Sequence, residues 1–335
     1  MKKIYSFLAA LFICSSLSAQ DTFSIIAVDP ATGEVGSAGA SCVTGVGSGG
    51  IIDIITDIIP GKGGVNSQAY VCIPNTNLQN AILRMEEGLS PQEIIDWLLL
   101  NDSCSSQNFD PAFRQYGIAD LDGGGTPRTA GWTGNMADDY KEDRQASNFS
   151  VQGNILLDVS VIDNMEANFN NTSGTLADKL MAAMQGANFA GADSRCLANG
   201  TSSTTAYLLV YRADDDPNDP YLRLNVGQQA VGVEPIDILQ GLYDDFLAVE
   251  DFELNNKLRL FPNPVDSELT LDVDPSIILT RLSIYDINGK NLFSQNEFGT
   301  PQLQQKIDVA QLAPGVFFLT VESDQGTASI KFVKR

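Results

Sequence analysis

Asp21-Thr22-Phe23-Ser24-Ile25-Ile26 is the stretch from which the organisation of this chain is best worked out. Thr22–Asp29 is mainly β-branched and apolar, which predicts a buried strand. The turn sequence Asp29-Pro30-Ala31-Thr32-Gly33 follows, and Glu34–Val43 then predicts a second strand paired with the first as a hairpin. The second strand is rich in Gly, Ala and Ser, which indicates close approach of a neighbouring backbone or a ligand.

The residues before this stretch have the features of a secretory signal. Lys2 and Lys3 form a charged start, Phe7–Cys14 forms a short apolar core, and Ser18-Ala19-Gln20 places small residues near a cleavage point. The apolar core is too short to remain as a membrane span, and no later segment is a transmembrane candidate. We therefore expect residues 1–20 to be a signal peptide.

The composition indicates an acidic globular protein. The chain has 335 residues, of which 43% are hydrophobic, enough for two domains with their own cores. Its formal charge is −22, and without residues 1–20 it holds 18 basic and 42 acidic residues, a net charge of −24. Such a surface repels phosphate backbones, which argues against nucleic-acid binding. A solvated acidic coat is favoured over calcium binding, including at the acidic turn 214–219.

The chain contains no histidine. This excludes Ser-His and Cys-His nucleophile pairs, zinc sites with histidine ligands and acid–base chemistry on an imidazole. A general base must therefore be a carboxylate, a lysine or an α-amine. We expect no cofactor and no metal site.

Four cysteines, Cys42, Cys72, Cys104 and Cys196, remain after removal of the signal. An even number in an exported protein predicts two disulfides, for which three connectivities exist. We favour Cys42–Cys72 with Cys104–Cys196, and four buried thiols are the alternative.

The first domain alternates groups of strands with pairs of helices, which predicts an α+β layered fold. Ser90 as N-cap and Glu93 form a capping box at the start of one helix, whose first residue is Pro91. The expected strands after the hairpin are Ile51–Ile59, Gly64–Cys72, Tyr116–Leu121, Thr129–Thr133, Phe149–Leu157, Thr204–Tyr211 and Leu222–Val226; the expected helices are Asn77–Glu87, the one after Ser90, Ser160–Phe169, Leu176–Gln185 and Pro235–Leu247.

The composition changes near residue 255. Residues 21–255 hold 10 basic and 33 acidic residues, whereas residues 256–335 hold 8 and 9. The tail has apolar residues at a period of two and the turn sequence Asn288-Gly289, which predict a small all-β, Ig-like sandwich of about seven strands. We therefore expect a first domain at 21–250, a linker at 251–257 and a tail domain at 258–335.

The tail resembles the C-terminal sorting domain, type A, of the type IX secretion system. The resemblance implies the secretion machinery as a partner, export through the periplasm and across the outer membrane to the cell surface or beyond, later removal of the tail, and a source in the Bacteroidetes. It is carried by Leu260-Phe261-Pro262-Asn263-Pro264, Ile284-Tyr285-Asp286-Ile287-Asn288-Gly289-Lys290, Leu312-Ala313-Pro314-Gly315-Val316-Phe317-Phe318-Leu319 and the end from Ile330 to Arg335.

Residues 22–250 resemble the family named domain of unknown function 1028, which is placed with the N-terminal nucleophile (Ntn) hydrolases. The resemblance implies a four-layer αββα sandwich and attack of an N-terminal Thr, Ser or Cys on an amide carbonyl, with its own α-amine as base. It is carried by Thr22-Phe23-Ser24-Ile25, Asp29–Gly36, Arg114-Gln115-Tyr116-Gly117, Thr133-Gly134, Val151-Gln152-Gly153-Asn154-Ile155-Leu156 and Ala190-Gly191-Ala192-Asp193-Ser194-Arg195.

Thr22 is the candidate nucleophile. An α-amine titrates at roughly 7.7–8.0, so it can act as a base in a protein without histidine. If the signal is cut after Gln20, however, Asp21 carries the free amine and Thr22 lies inside a peptide. A strand residue without catalytic function is the alternative.

Five further residues are candidates for substrate binding. Gln152 and Asn154 could orient a polar substrate or form an oxyanion hole, and Gln68 is a candidate for the same pocket. Asp193 and Arg195 could form a clamp for a carboxylate. The family usually has Gly-x-Gln-Ser-Ala after this pair, whereas this chain has Gly200–Thr204 without the Gln. The pair Arg114-Gln115 is expected to be structural.

Two functions follow from these observations. The first is a secreted amidase or peptidase that acts on a small amide or peptide. The second is a secreted binding or structural protein that keeps the fold without catalysis. Ntn-type domains often assemble, so a homo-oligomer is a further expectation, although no residue specifies one.

Overall fold

The computed structural model describes residues 22–298 and 303–335. The expected signal peptide and Asp21 therefore lie outside the described residues. The chain divides into two compact units at Gly241–Leu242. The helices are α1 (Ile52–Ile55), α2 (Thr76–Glu86), α3 (Pro91–Leu100), α4 (Ser160–Asn171), α5 (Leu176–Gly186) and α6 (Pro235–Asn256).

The strands of the first unit form two sheets that face each other. They are β1 (Phe23–Val28), β2 (Val35–Ser41), β3 (Thr56–Ile59), β4 (Gly63–Ala69), β5 (Arg114–Leu121), β6 (Pro127–Thr133), β7 (Glu142–Gln145), β8 (Phe149–Gly153), β9 (Thr205–Tyr211) and β10 (Leu222–Val226). The larger sheet has the order β10-β9-β2-β1-β8-β7, and the smaller has the order β3-β4-β5-β6. Helices α2 and α3 pack on the smaller sheet, and α4 and α5 pack on the larger one.

The predicted hairpin lies at the centre of the larger sheet. β1 pairs with β2 on one side and with β8 on the other, both antiparallel. All six residues of β1 are buried, because helices cover one face of its sheet and the smaller sheet covers the other. Asp29 Oδ1 accepts from Ala31 N at 2.9 Å in the turn, and Gly33 takes a φ of 75°, which glycine adopts without strain.

Several expected elements differ from the structure. The strand expected at Gly64–Cys72 ends at Ala69, and β7 was not expected. Residues 52–55 form a helical turn before β3, within the strand expected at Ile51–Ile59. The expectation failed because a short, mainly apolar stretch does not distinguish a strand from a helix. The strand expected at Phe149–Leu157 ends at Gly153. Helix α6 continues to Asn256, so it includes most of the expected linker. The capping box at Ser90 is present.

The favoured disulfide pairing was wrong. The structure joins Cys42 to Cys196, with Cα atoms 5.7 Å apart, and Cys72 to Cys104, with Cα atoms 5.5 Å apart. Cys72 follows β4 and Cys104 lies in the segment that leads into the neighbouring strand β5, so sheet pairing brings them together. Cys42 follows β2, and its backbone N donates at 2.8 Å to Asp193 in the loop that carries Cys196.

The tail is an all-β unit of seven described strands. They are β11 (Leu258–Phe261), β12 (Glu268–Val273), β13 (Leu279–Asp286), β14 (Asn291–Gln295), β15 (Gln304–Asp308), β16 (Gly315–Ser323) and β17 (Gly326–Lys334). They form sheets of order β11-β12-β15 and β14-β13-β16-β17 around an apolar core. Within the described residues, no helix is long and apolar enough to cross a bilayer.

Candidate functional site

Polar side chains from both sheets meet at one end of the first unit. Thr22 directly precedes β1, and Asn154 directly follows β8, the strand that pairs with β1. Gln68 lies near the end of β4, opposite Gln115 at the start of β5. All four residues are buried. The expected nucleophile and two of the expected binding residues, Gln68 and Asn154, are therefore brought together.

The amides hold the backbone of Thr22 on two sides. Thr22 N donates to Asn154 Oδ1 at 3.2 Å. Thr22 O accepts from Asn154 N at 3.1 Å and from Gln68 Nε2 at 2.9 Å. Because these contacts are made to backbone atoms, they fix the position of residue 22 relative to both sheets.

Behind Thr22, a network of amides is centred on the Ser24 hydroxyl. Ser24 Oγ donates to Gln68 Oε1 at 2.6 Å. It accepts from Asn66 Nδ2 at 3.0 Å and from Gln152 Nε2 at 2.6 Å. Gln152 Oε1 also accepts from Ser150 Oγ at 3.1 Å. The expected binding residue Gln152 is thus enclosed between the sheets, with both ends of its amide bonded to protein.

Glycine at position 117 makes room for this network. A Cβ atom built there would lie 1.9 Å from Gln152 Oε1. On the facing sides of the two sheets, small or polar residues recur at a period of two. This pattern is a sequence signal from which the network can be located. Its members are Ser24, Ser37, Asn66, Gln68, Gln115, Gly117, Ser150 and Gln152.

Gln115 is part of the network, although sequence reasoning treated it as structural. Its Oε1 accepts from Gln68 Nε2 at 2.8 Å. Its Nε2 lies within donor distance of Thr133 Oγ1 at 2.9 Å and of the Gly153 carbonyl at 2.9 Å. Gln115 therefore joins the end of β6 to the end of β8. Arg114, by contrast, forms a buried ion pair with Asp102 at 2.7 Å, as expected for a structural residue.

Asp193 and Arg195 bind each other. Arg195 Nε donates to Asp193 Oδ1 at 2.9 Å, and its NH2 nitrogen donates to Asp193 Oδ2 at 2.6 Å. Asp193 is fully buried, and its carboxylate also accepts from Cys42 N. Asp193 bridges to Leu156, just beyond Asn154, which places the pair at the same end of the unit as Thr22. The charge of Arg195 is thus matched by a carboxylate of its own loop.

Two residues at this end have left-handed backbones. Ala69 has a φ of 70° and Ile155 has a φ of 52°, and each directly follows a site amide, Gln68 or Asn154. Such a conformation costs a non-glycine residue on the order of 1–3 kcal/mol and is maintained only where the surroundings impose it. The backbone therefore turns sharply at the two residues that bind Thr22.

The network itself is electrically neutral. Its members are amides and hydroxyls, and the adjoining phenol of Tyr207 bonds to Ser37 Oγ at 2.8 Å. Burial raises the pKa of Tyr207 well above its ordinary value, so the phenol stays protonated. No group of three or more acidic or cysteine residues able to hold a metal ion occurs in the described part of the chain.

The geometry defines a first unit of mixed helices and sheets with a buried polar site at the start of β1. The profile described as "Family of unknown function (DUF1028)" matches residues 22–236, and the chain belongs to this family. The profile of the secretion system C-terminal sorting domain matches residues 259–335, which indicates export to the cell surface or the extracellular space.

One solved structure supports the fold of the first unit. It is the crystal structure of a DUF1028 protein from Silicibacter pomeroyi, which is 24% identical and has a TM-score of 0.52. The alignment covers 67% of this chain and 88% of the other. No curated protein matches the sequence.

Proposed function

We propose that this chain is a secreted hydrolase of the Ntn type, with an αββα first domain and Thr22 as nucleophile on a small amide or peptide. The observation that carries the proposal is the contact of Thr22 N with Asn154 Oδ1 at 3.2 Å. The nitrogen that must become the catalytic base already lies in a defined polar position.

The mechanism requires that the chain begin at Thr22. The Thr22 hydroxyl would then attack the substrate carbonyl carbon, and the α-amine would take the hydroxyl proton. The α-ammonium then gives this proton to the leaving amine as the C–N bond of the substrate breaks, and the acyl group remains as an ester on Thr22. Water attacks the ester next, and the α-amine takes a proton from the water and passes it to the Thr22 oxygen as the acid product is released. Asn154 would keep the amine beside the hydroxyl, because its Oδ1 accepts from the same nitrogen.

We assign Gln68, Gln152 and Gln115 to positioning and not to direct contact with substrate. Their amides are engaged with Ser24, with each other and with the backbone of Thr22. For Asp193 and Arg195, we propose that the pair shapes the rim of the site, with Arg195 as its more exposed member.

A binding or structural protein without catalysis is the second candidate. It is favoured because the side-chain amides of Gln68, Gln152 and Gln115 are already hydrogen-bonded within the protein and are therefore not available to bind substrate. It is also favoured by Asp21, which precedes Thr22 in the chain. An internal Thr22 has no α-amine, and the chain has no histidine to replace it.

The deciding experiment compares two defined N-termini. Protein that starts at Thr22 and protein that starts at Asp21 are assayed against a library of small amides and dipeptides. We expect turnover only from the Thr22 start. Turnover by neither form, or equal turnover by both, rejects the N-terminal mechanism.

Thr22→Val serves as the matched variant. Valine keeps the β-branched shape and the backbone contacts but lacks the hydroxyl, so we expect a native fold without turnover. Thr22→Ser should retain part of the activity. N-terminal sequencing of the protein secreted by its native host then shows which start occurs naturally.

A further inference from the structure

Exposed apolar side chains lie on joined loops at the end of the first unit that holds Thr22. Met136 N donates to Ala112 O at 2.8 Å, which joins the loop after β6 to the segment before β5. Leu156 N donates to Tyr140 O at 2.9 Å, which joins the same loop to the segment after β8. Large apolar side chains exposed together mark a place where a ligand or partner binds. Those on the joined loops, which we call the apolar rim, are Phe109, Met136, Tyr140 and Leu157.

Asp138 lies within the apolar rim and close to Thr22. In the chain it falls between Met136 and Tyr140. Its carbonyl accepts from Ile155 N at 3.0 Å. The residue before Ile155 is the site amide whose Oδ1 accepts from Thr22 N. On the side of the larger sheet, a single hydrogen bond therefore separates Asp138 from the residues that hold Thr22.

Tyr70 fixes the Asp138 carboxylate from the side of the smaller sheet. Its hydroxyl donates to Asp138 Oδ2 at 2.7 Å. Tyr70 comes two residues after Gln68, whose amide donates to the Thr22 carbonyl. The Tyr70 ring packs edge-on against Phe113, with ring centroids 5.4 Å apart. The position of the carboxylate is thus determined by both sheets.

Asp138 has no cation as a partner among the described residues. The nearby cation Lys141 pairs with Asp139 at 2.9 Å, and Arg195 at the same end pairs with Asp193 at 2.6 Å. A phenol donates one hydrogen bond, whereas an ionised carboxylate can accept about four. Asp138 therefore adds a negative charge with remaining acceptor positions to the apolar rim.

We propose that the apolar rim and Asp138 select an amide whose acyl residue carries a free amino group and an apolar side chain, as the amino-terminal residue of a peptide does. The ammonium group binds the Asp138 carboxylate, and the side chain packs on Met136 and Leu157. An ammonium group has three donors and no acceptor, which suits a carboxylate. The inference rests on the proposed hydrolase for the position of the scissile bond at Thr22.

The binding test uses residues 22–335 with Thr22→Val, so that no ligand is consumed. Leucinamide is compared with 4-methylpentanamide, which lacks only the amino group, and with glycinamide, which lacks the apolar side chain. The three ligands are titrated at low salt by ligand-observed NMR. We expect leucinamide to bind with a dissociation constant on the order of millimolar, as befits a ligand of few atoms. Each of the other two should bind about threefold or more weakly.

Two variants with matched controls assign the effect to these residues. Asp138→Asn keeps an acceptor for the Tyr70 hydroxyl but removes the charge, so it should abolish the preference for leucinamide over 4-methylpentanamide. Leu157→Ser should abolish most of the preference over glycinamide. Asp96→Asn, at an exposed carboxylate on α3, and Leu100→Ser, at a side chain that is 85% exposed, should leave both preferences unchanged.

Equal binding of leucinamide and 4-methylpentanamide overturns the proposal. An Asp96→Asn effect as large as that of Asp138→Asn does so as well, because general attraction to an acidic surface would then explain the result. Turnover is measured separately with the unsubstituted chain that starts at Thr22. Hydrolysis of all three amides at one rate would support the hydrolase and reject the selection by Asp138 and the apolar rim. The expected binding preferences without any hydrolysis would support the selection and reject the hydrolase.

Discussion

Replacing Ser24 with alanine tests whether the buried network stabilises the first unit. The Ser24 hydroxyl is bonded to Asn66 Nδ2, Gln152 Nε2 and Gln68 Oε1 at 2.6–3.0 Å. Removal of this hydroxyl leaves two buried amide donors and one buried amide acceptor without their hydrogen bond to Ser24. An unsatisfied buried polar group costs about 1–3 kcal/mol, so we expect the free energy of unfolding to fall by about 3 kcal/mol or more.

Tryptophan fluorescence provides a selective assay. The chain has 2 tryptophans, Trp97 and Trp132, and both lie in the first unit. Their signal in urea therefore reports on unfolding of that unit and not of the tail. Ser37→Ala removes a hydroxyl with two partners, Asn66 Oδ1 and Tyr207, and should cost less. Ser147→Ala, at an exposed serine, is the surface control.

The order of the three losses is the decisive result. The reasoning predicts that Ser24→Ala is the most destabilising and that Ser147→Ala is close to neutral. A Ser24→Ala loss below about 1 kcal/mol would refute it, since the amides would then find other partners or water at little cost.

Three more predictions follow from the same structure. Replacing both cysteines of one disulfide with serine should lower the free energy of unfolding, by up to about 5 kcal/mol for Cys42–Cys196 and about 4 kcal/mol for Cys72–Cys104 in the chain-entropy description. The difference arises because the bonds span 154 and 32 residues. Peptide mapping without reduction should recover these two pairs, and any other pair contradicts the structure. Gly117→Ala should destabilise the first unit by about 1–3 kcal/mol through collision with Gln152, whereas Gly123→Ala, where nothing lies within 4 Å, should be tolerated in the same urea assay. Burial raises the pKa of Glu34, and the nearby charge of Asp29 raises it further, so the native state favours the protonated carboxyl group. Glu34→Gln should therefore stabilise the protein at pH 7, and this gain in stability should shrink on acidification and vanish below the ordinary pKa of 4.5. A gain that does not depend on pH would contradict this cause.

The hairpin could be predicted because the local sequence encodes it. Thr22–Asp29 is apolar and β-branched and is followed by a turn whose residues bond their own backbone, and the structure places β1 and β2 there. The tail was equally predictable, since alternation at a period of two determines which residues enter its core.

The disulfides and the amide network could not be predicted in the same way. Both depend on which strands become neighbours, and β8 and β9 reach β1 and β2 only after more than 100 residues of intervening chain. Once β4 is known to pair with β5, the partner of Cys72 follows directly. The strand expected at Ile51–Ile59 was wrong over residues 52–55 for a local reason, because a stretch of four residues is too short to show a period.

The choice between the two candidate functions depends on the peptide bond between Asp21 and Thr22. The amide contacts of residue 22 go to its backbone N and O, and every amino acid except proline offers both. These contacts therefore do not select threonine, and a β-strand start would accept valine equally well. Whether the hydroxyl has a function then depends on whether the bond between Asp21 and Thr22 is cleaved. If this bond is cleaved, the new α-amine remains within reach of Asn154 and the hydrolase proposal stands. If the bond stays intact, the second candidate, a binding or structural protein without catalysis, is favoured.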